Sequence, residues 1–526
     1  MGIMAGSTPT GGWTAVNEAH SNGLITSDFS SRKPVGQIAE RAPSLEDGSI
    51  SLLPDGRMRV TYTLRKGVTW QDGAPFTARD LVFSYRFNND AGIPNPFRDA
   101  ISLMTSVEAP NDQTFIVEFK GPYYLGGSMG VRMFWPQPEH LLGEAYERYL
   151  TTKNADDVVN LPYWTSEYVH LGPFRLTSFD PSEGIAFEAY DGYFAGRPKV
   201  DVIRVRLFGD QNALFSNLLA GTVDVFLENT LQVELGTQLK ERWDGNGEGT
   251  VHVKRAGPRL LALQWRSAVQ VEPAVFDQRV RAALYHALDR EALSEGLQSG
   301  LREMAAWGLL APGHLHFEAT RDGLRPYAYD VERARSLLAD AGWAPAGDGT
   351  LRNRTDGRRF RAPISAPEQL VRELPAYADA WRRLGIEVEE ISIPPAQTRN
   401  LEFRALFPGW EVTGQPSGDG ILLQLEGPAA APQTRWFGNR SGYEDARAMQ
   451  LLEAYRTSLD VRQQFQAAKA LGDFVAAEVP FLFTYSSATH LGVRKGVQAL
   501  DDHDGGDSPG GPYGTWTRNA HLWQVL

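Results

Sequence analysis

The segment 359–393 constrains the fold of this chain more than any other part of it. A short apolar strand (360–365) precedes a helical pattern over about 367–384, which Gly385 ends, and 386–393 then alternates as a second strand. Two strands joined through a helix lie parallel, because the crossover must return the chain to the same edge of the sheet. The chain is therefore read as mixed α/β, with this βαβ unit forming a parallel sheet.

Other segments fit that class. Met58, Val60, Tyr62 and Leu64 alternate with Arg59, Thr61 and Thr63, the period of a half-buried strand. A turn-rich run from Gly67 to Pro75 brings the chain to Thr77, and Asp80 three residues on completes a capping box, with Asp in place of the usual Glu. A helix is predicted over 78–87. Asp277 caps a second helix with Val280, Leu284 and Leu288 on one face. Asp330 opens a third through Leu337, Leu338 and Ala341, stopped by Gly342. Helices are expected at 446–459 and 461–478, and Pro480 leads into an apolar strand at 481–485. No fixed-period repeat is visible, and 505–514 is the one Gly/Pro-rich patch.

Composition narrows the function classes. The 526 residues, 42% of them hydrophobic, can bury several cores, and roughly 150 residues per domain suggests three or four units. Lys and Arg number 52 against 64 Asp and Glu, a net charge of −12 that argues against a nucleic-acid or anionic-membrane binder. No cysteine occurs, which removes disulfides, iron–sulfur clusters, thiol nucleophiles and Cys-based zinc sites. No stretch approaches the roughly 18 consecutive apolar residues of a membrane span. The start, MGIMAGSTPTGG, lacks the basic and apolar regions of a secretion signal.

Catalytic patterns are weak. No Gly-Lys dipeptide offers a phosphate-cradling loop, and no His begins a His-Glu-x-x-His zinc motif. His314 and His316 are spaced to share one side of a strand, but Pro312-Gly313 beside them reads as a surface loop. Gly126-Gly-Ser128-Met-Gly130 matches the nucleophile-elbow pattern, yet Gly121-Pro before it and Pro136 and Pro138 after it predict a glycine turn. Tryptophan is abundant, with 13 in all, and Trp13, Trp135, Trp164, Trp265, Trp307, Trp410 and Trp436 lie near turns or strand ends. Most should fill cores; some are candidates to line a ligand cleft. Glu411 and Asp419 beside them would suit a ligand amine or hydroxyls.

The segment from Tyr62 to Ser84, Tyr-Thr-Leu-Arg-Lys-Gly-Val-Thr-Trp-Gln-Asp-Gly-Ala-Pro-Phe-Thr-Ala-Arg-Asp-Leu-Val-Phe-Ser, resembles the signature of extracytoplasmic solute-binding proteins of ABC importers, in the peptide/nickel class (solute-binding family five). Further blocks keep the family's order: Gly172-Pro-Phe, Tyr190 to Pro198, Leu219 to Asp224, Arg279 to Arg290, Tyr329 to Trp343, and Asn439-Arg-Ser-Gly-Tyr443. The resemblance implies a two-lobed binding-protein fold with an inserted domain. Lobe I would comprise about 1–40, 165–262 and 485–526, the insert 41–164, and lobe II 263–484. Two crossing strands, near 259–266 and 481–487, would link the lobes, and GIMAG would be the first strand. Ligand would bind between lobes that close by hinge motion. The resemblance also implies a monomer that catalyses nothing, uses no cofactor or metal and binds no nucleic acid. It would work at the periplasmic or outer face of the cell membrane, passing its solute to a membrane permease driven by ATPases. Family members carry a leader or lipid anchor; without Cys this chain has no lipobox.

In peptide-binding members, an aspartate three residues after the Trp of a Gly-Trp pair meets the peptide's amino terminus. Here Gly409-Trp410-Glu411-Val412-Thr413 places Thr413 at that position, and a hydroxyl lacks the charge for ammonium capture. Glu411 or Asp419 would have to substitute. The resemblance thus implies ligand contacts from Gly409, Trp410, Glu411, Thr413 and Asp419. Trp265, Trp436, Tyr485 and Asn229 are further candidates. A peptide or peptide-like solute is expected, with an oligosaccharide or other small organic solute as the alternative. A hydrolase or a transporter-independent sensory receptor would be other uses of such a chain.

Overall fold

A computed structural model of the protein describes residues 13–28, 33–94, 98–131, 133–180, 182–498 and 517–526. The expected GIMAG strand and the 505–514 patch lie outside the described residues. The chain divides into two compact units, Met1–Lys254 with Thr489–Leu526, and Arg255–Ala488.

In the first unit β1 (Ile25–Ser27) and β2 (Pro34–Gly36) pair antiparallel. β3 (Ile50–Leu52), β4 (Met58–Thr63), β5 (Met104–Asn111) and β6 (Thr114–Phe119) form a sheet in the order β3-β4-β6-β5. Met58, Val60 and Tyr62 of β4 are buried while the residues between them are not, as the alternation requires. Helix α1 (Ala78–Asn89) follows. Its capping box is formed: the Thr77 hydroxyl accepts from the Arg79 N–H and the Asp80 carboxylate accepts from the Thr77 N–H. Phe83 and Phe87 of α1 bury against Leu142 and Tyr146 of α2 (Glu139–Thr152), together with Trp135 and Trp164. A second sheet runs β7 (Phe174–Asp180), β8 (Gly184–Ala189), β9 (Val202–Val205). Helices α3 (Gln211–Ala220) and α4 (Val233–Asn246) enclose a smaller core of Leu214, Leu218, Leu239 and Trp243, which Phe226 of β10 (Val225–Phe226) joins.

The chain leaves the first unit within β11 (Gly249–Leu263). In the second unit the Asp277-capped helix is α5 (Gln278–His286), with Val280, Leu284 and Leu288 buried as expected. Asp330 caps α6 (Val331–Asp340), and Gly342 takes a positive φ of 87° just beyond it. A two-stranded ribbon, β12 (Trp343–Pro345) and β13 (Leu351–Asn353), leads to the expected crossover unit. That unit consists of β14 (Ile364–Pro367), a 3-10 turn (Glu368–Glu373), α7 (Leu374–Arg382) and β15 (Glu390–Ile393), with the two strands parallel. Both strands are shorter than predicted. Hydrogen bonds do extend back to Phe360, since the Glu387 N–H donates to the Phe360 carbonyl and the Ala362 N–H to the Glu387 carbonyl, but the pairing there is an isolated bridge between Arg361 and Glu387 rather than a continuous strand. The α-helix begins with Pro375 in its first turn, where a missing N–H costs nothing. After α8 (Leu401–Ala405), β16 (Trp410–Gly414) inserts between β11 and β14, antiparallel to the first and parallel to the second. Helices α9 (Ala446–Thr457) and α10 (Val461–Glu478) precede β17 (Phe481–Arg494), within which the chain returns to the first unit. β17 outruns its predicted end at 485, because Thr484, Ser486, Thr489 and His490 are buried polar residues that an apolar count does not register.

Candidate functional site

In open α/β sheets ligands sit outside the carboxyl ends of the parallel strands. The second unit presents that edge at Pro367, Ile393 and Gly414, the last residues of β14, β15 and β16. Register decides which side chains share a face there. Glu411 stands opposite Ala262 and Thr413 opposite Leu260, so both project from one face of β16; Trp410 opposite Leu263 and Val412 opposite Leu261 project from the other.

On the first face a buried ion cluster has formed. The Glu411 carboxylate, 1% exposed, accepts from Nη2 and Nε of Arg404 on α8. Asn400 caps α8 by accepting from the Phe403 N–H, and Arg404 Nη1 donates to the Thr398 carbonyl at 3.3 Å, so the guanidinium is held from three sides. Arg440 approaches from the loop after β16. Its Nη2 lies 3.5 Å from the Glu411 carboxylate and donates to Thr413 Oγ1 at 3.2 Å. Burial lowers the Arg440 pKa, Glu411 opposes that shift, and Arg404 adds to it.

The other face carries a second pair, Arg259 Nε to Glu373 at 3.1 Å, beside Tyr377 and Tyr485. Burial raises the Glu373 carboxyl pKa against the pull of Arg259, and burial raises both phenols, Tyr377 and Tyr485, as well. The Tyr377 hydroxyl is 3.1 Å from Thr484 Oγ1, which donates to the Arg259 carbonyl.

The structure corrects several expectations. Trp410 does not stand on an open surface: it is 1% exposed and meets Trp381 of α7 edge to face at 5.3 Å. Its place opposite Leu263 turns it toward the helix that covers the sheet. Glu411 does not offer a carboxylate to an ammonium, because Arg404 already holds both its oxygens. Asp419 is engaged too, 3.0 Å from His314 Nε2 and accepting from the Tyr455 hydroxyl at 2.9 Å. Tyr485 is fully buried, and Trp265 donates from Nε1 to the Pro480 carbonyl while the Arg281 guanidinium lies 4.9 Å above its ring. Gly409 lets β16 approach β14 closely: a Cβ there would fall 2.6 Å from the Pro363 oxygen. Trp436 is half-buried with a φ of 63°, and Asn229, in the first unit, is exposed with a φ of 61° and donates its N–H to Thr489 Oγ1.

Ser128 lies in a turn with neither strand before it nor helix after it, the glycine-turn reading. His314 pairs with Asp419 and His316 with Gln464 at 2.7 Å, and among the described residues no group of three or more His, Asp or Glu is placed to hold a metal. Sequence reasoning missed Arg404, Arg259 and Glu373. Arg440 did have a signal, since it stands inside the Asn439-to-Tyr443 block.

A family model for bacterial extracellular solute-binding proteins, family 5, matches residues 33–431. The chain belongs to that family, as its resemblance blocks implied. It is 23% identical to the oligopeptide-binding protein AppA of Bacillus subtilis over 463 residues, 85% of this chain and 79% of that protein. Protein XP55 of Streptomyces lividans is 28% identical over 491 residues, 90% of this chain and 82% of its own. The fold matches the oligopeptide-binding protein of Thermus thermophilus, solved with a pentapeptide, at a TM-score of 0.72 and 20% identity, covering 99% of this chain and 93% of that one. The α/β binding-protein architecture is thereby established, and the chain is a ligand-binding component of an ABC import system. Its relatives are substrate-binding proteins, and the family is extracytoplasmic. Among the described residues no helix is long and apolar enough to cross a membrane.

Proposed function

We propose that this protein captures a peptide or peptide-like solute outside the cytoplasm and delivers it to a membrane permease powered by ATPases, acting as a monomer without chemical turnover. The observation that supports the reading is the likeness to oligopeptide-binding proteins, in sequence over most of the chain and in fold over nearly all of it. We assign lobe II to about 263–484, within the Arg255–Ala488 unit, and lobe I with the 41–164 insert to the remainder. Ligand contacts are assigned to the carboxyl edge of the second unit's sheet, at Thr413 and the loop leading to Asp419. Trp410 and Tyr485 act behind that edge as packing.

A thermal-shift screen of tri- to nonapeptides, oligosaccharides and nickel chelates tests the assignment. A ligand at a hundredfold excess over its Kd adds about 2.7 kcal/mol of stability. Peptides should therefore raise the melting temperature saturably and be recovered intact. A panel in which only sugars or chelates do so overturns the peptide reading, and recovery of cleaved peptide overturns the absence of turnover.

A further inference from the structure

We propose that the solute group received beside Thr413 is a carboxylate, so that the protein selects anionic peptides or peptide-like anions; this rests on the peptide reading above. Three charged side chains meet on that face of β16: Glu411, Arg404 and Arg440. Glu411 and Arg404 form a two-point pair and cancel, and the third nitrogen of Arg404 is held by the Thr398 carbonyl. Arg440 is left as the uncompensated charge of the three. Its side chain is 32% exposed where Arg404 is 7% and Glu411 1%, so it is the member of the cluster that a solute reaches. Among the described residues, only Nη2 of its guanidinium has a hydrogen-bond partner, the Thr413 hydroxyl. Nε and Nη1 remain, in the planar fork that matches a carboxylate in two bonds.

Thr413 adds a donor of its own. Among the described residues its hydroxyl donates only through a long 3.5 Å contact to the Gly414 carbonyl, so it can turn toward an anionic oxygen while accepting from Arg440. An ammonium at the same place would meet a cluster of net charge +1 whose one carboxylate, Glu411, is engaged by Arg404; Asp419, further along the chain, is engaged by His314 and Tyr455. Like charges at such separations repel strongly where water is thinned. The absence of an acidic residue at 413 and the placement of Arg440 thus point to the same ligand chemistry.

Calorimetric titration of the full chain at pH 7 with trialaninamide, N-acetyl-trialaninamide, N-succinyl-trialaninamide and glutarate tests this in the wild type, Arg440→Gln and Arg440→Lys, the amides leaving the succinyl carboxylate as the one anionic group among the peptides. The succinyl peptide should bind about tenfold or more tighter than either of the other two peptides. Arg440→Gln should collapse that preference to within about twofold, and Arg440→Lys should keep part of it. Trialaninamide binding best, with loss on acetylation, overturns the inference while leaving the peptide reading intact. If no peptide binds, the peptide reading falls, and glutarate decides the anion site. Glutarate binding that Arg440→Gln abolishes supports the site, and no glutarate binding overturns it. The wild-type ligand series needs no variant, so a poorly folding Arg440→Gln leaves the comparison decisive.

Discussion

Acidification from pH 7 to 5 should destabilise the first unit through its buried histidines, of which His20, His170 and His490 are the most strongly shifted. His20 is wholly enclosed, stacked on Phe187 at 5.2 Å and edge-on to Tyr168 at 5.1 Å, with Ser21 Oγ 2.8 Å from its Nδ1. Burial drives its pKa from 6.5 down to about 3. His490 is pushed to about 4, by burial first and by Lys240 second. A histidine whose folded pKa is depressed stays neutral in the native state while the unfolded chain takes up a proton below 6.5. Stability is then full above pH 6.5 and is lost as pH falls toward the folded value, at about 1.4 kcal/mol per pH unit and per group. At pH 5 each residue has lost about 2 kcal/mol relative to pH 7, His20 and His490 together about 4 kcal/mol, and His170, lowered by burial and then by His20, adds to the loss in the same direction. Carboxylates held low by ion pairs act in the same direction only below about pH 4.5, so the window from 6.5 to 4.5 belongs to the histidines. Scanning calorimetry should show the first unit's transition falling by about 10 °C or more. His20→Gln should lower the slope by one group's share. A midpoint flat between pH 7 and 5, or a slope that His20→Gln leaves unchanged, would refute the argument.

Trp410→Ala should cost about 3–5 kcal/mol in chemical denaturation, as a large-to-small change in a packed core, while the folded fraction keeps its ligand affinity; a selective loss of affinity would return Trp410 to the binding surface. Glu411→Gln leaves Arg404 and Arg440 facing each other and should destabilise by about 3–5 kcal/mol, read from urea midpoints, with a change under about 1 kcal/mol contradicting the buried pair. Gly409→Ala forces a Cβ against the Pro363 oxygen and should cost about 1–3 kcal/mol in the same assay. Thr77→Ala removes one half of the α1 capping box and should cost about 1 kcal/mol, whereas Thr77→Ser should cost far less.

The elements that could be read directly were those whose signals lie within a few residues of one another. The Thr77–Asp80 box, the Asp277 and Asp330 caps and the crossover unit around Gly385 depend on backbone groups one turn away, and each became the expected element. A limit of such reading also has a local cause: the buried hydroxyls beyond Tyr485 hide the length of β17. The family, too, was legible, because its blocks are short and ordered along the chain.

The site was not legible in the same way. Gly409 to Thr413 names the strand, but which of its side chains face a solute depends on register against β11, and a one-residue slip would exchange Trp410 for Glu411. Whether Glu411 is available depends on Arg404 of a separate helix and Arg440 of a later loop, brought to it only when the sheet is assembled. Composition and order along the chain therefore determined the class of protein, since they act through local hydrogen bonds and apolar periodicity. The sign of the charge beside Thr413 was decided by tertiary structure, because electrostatic pairing depends on distance in space rather than in sequence.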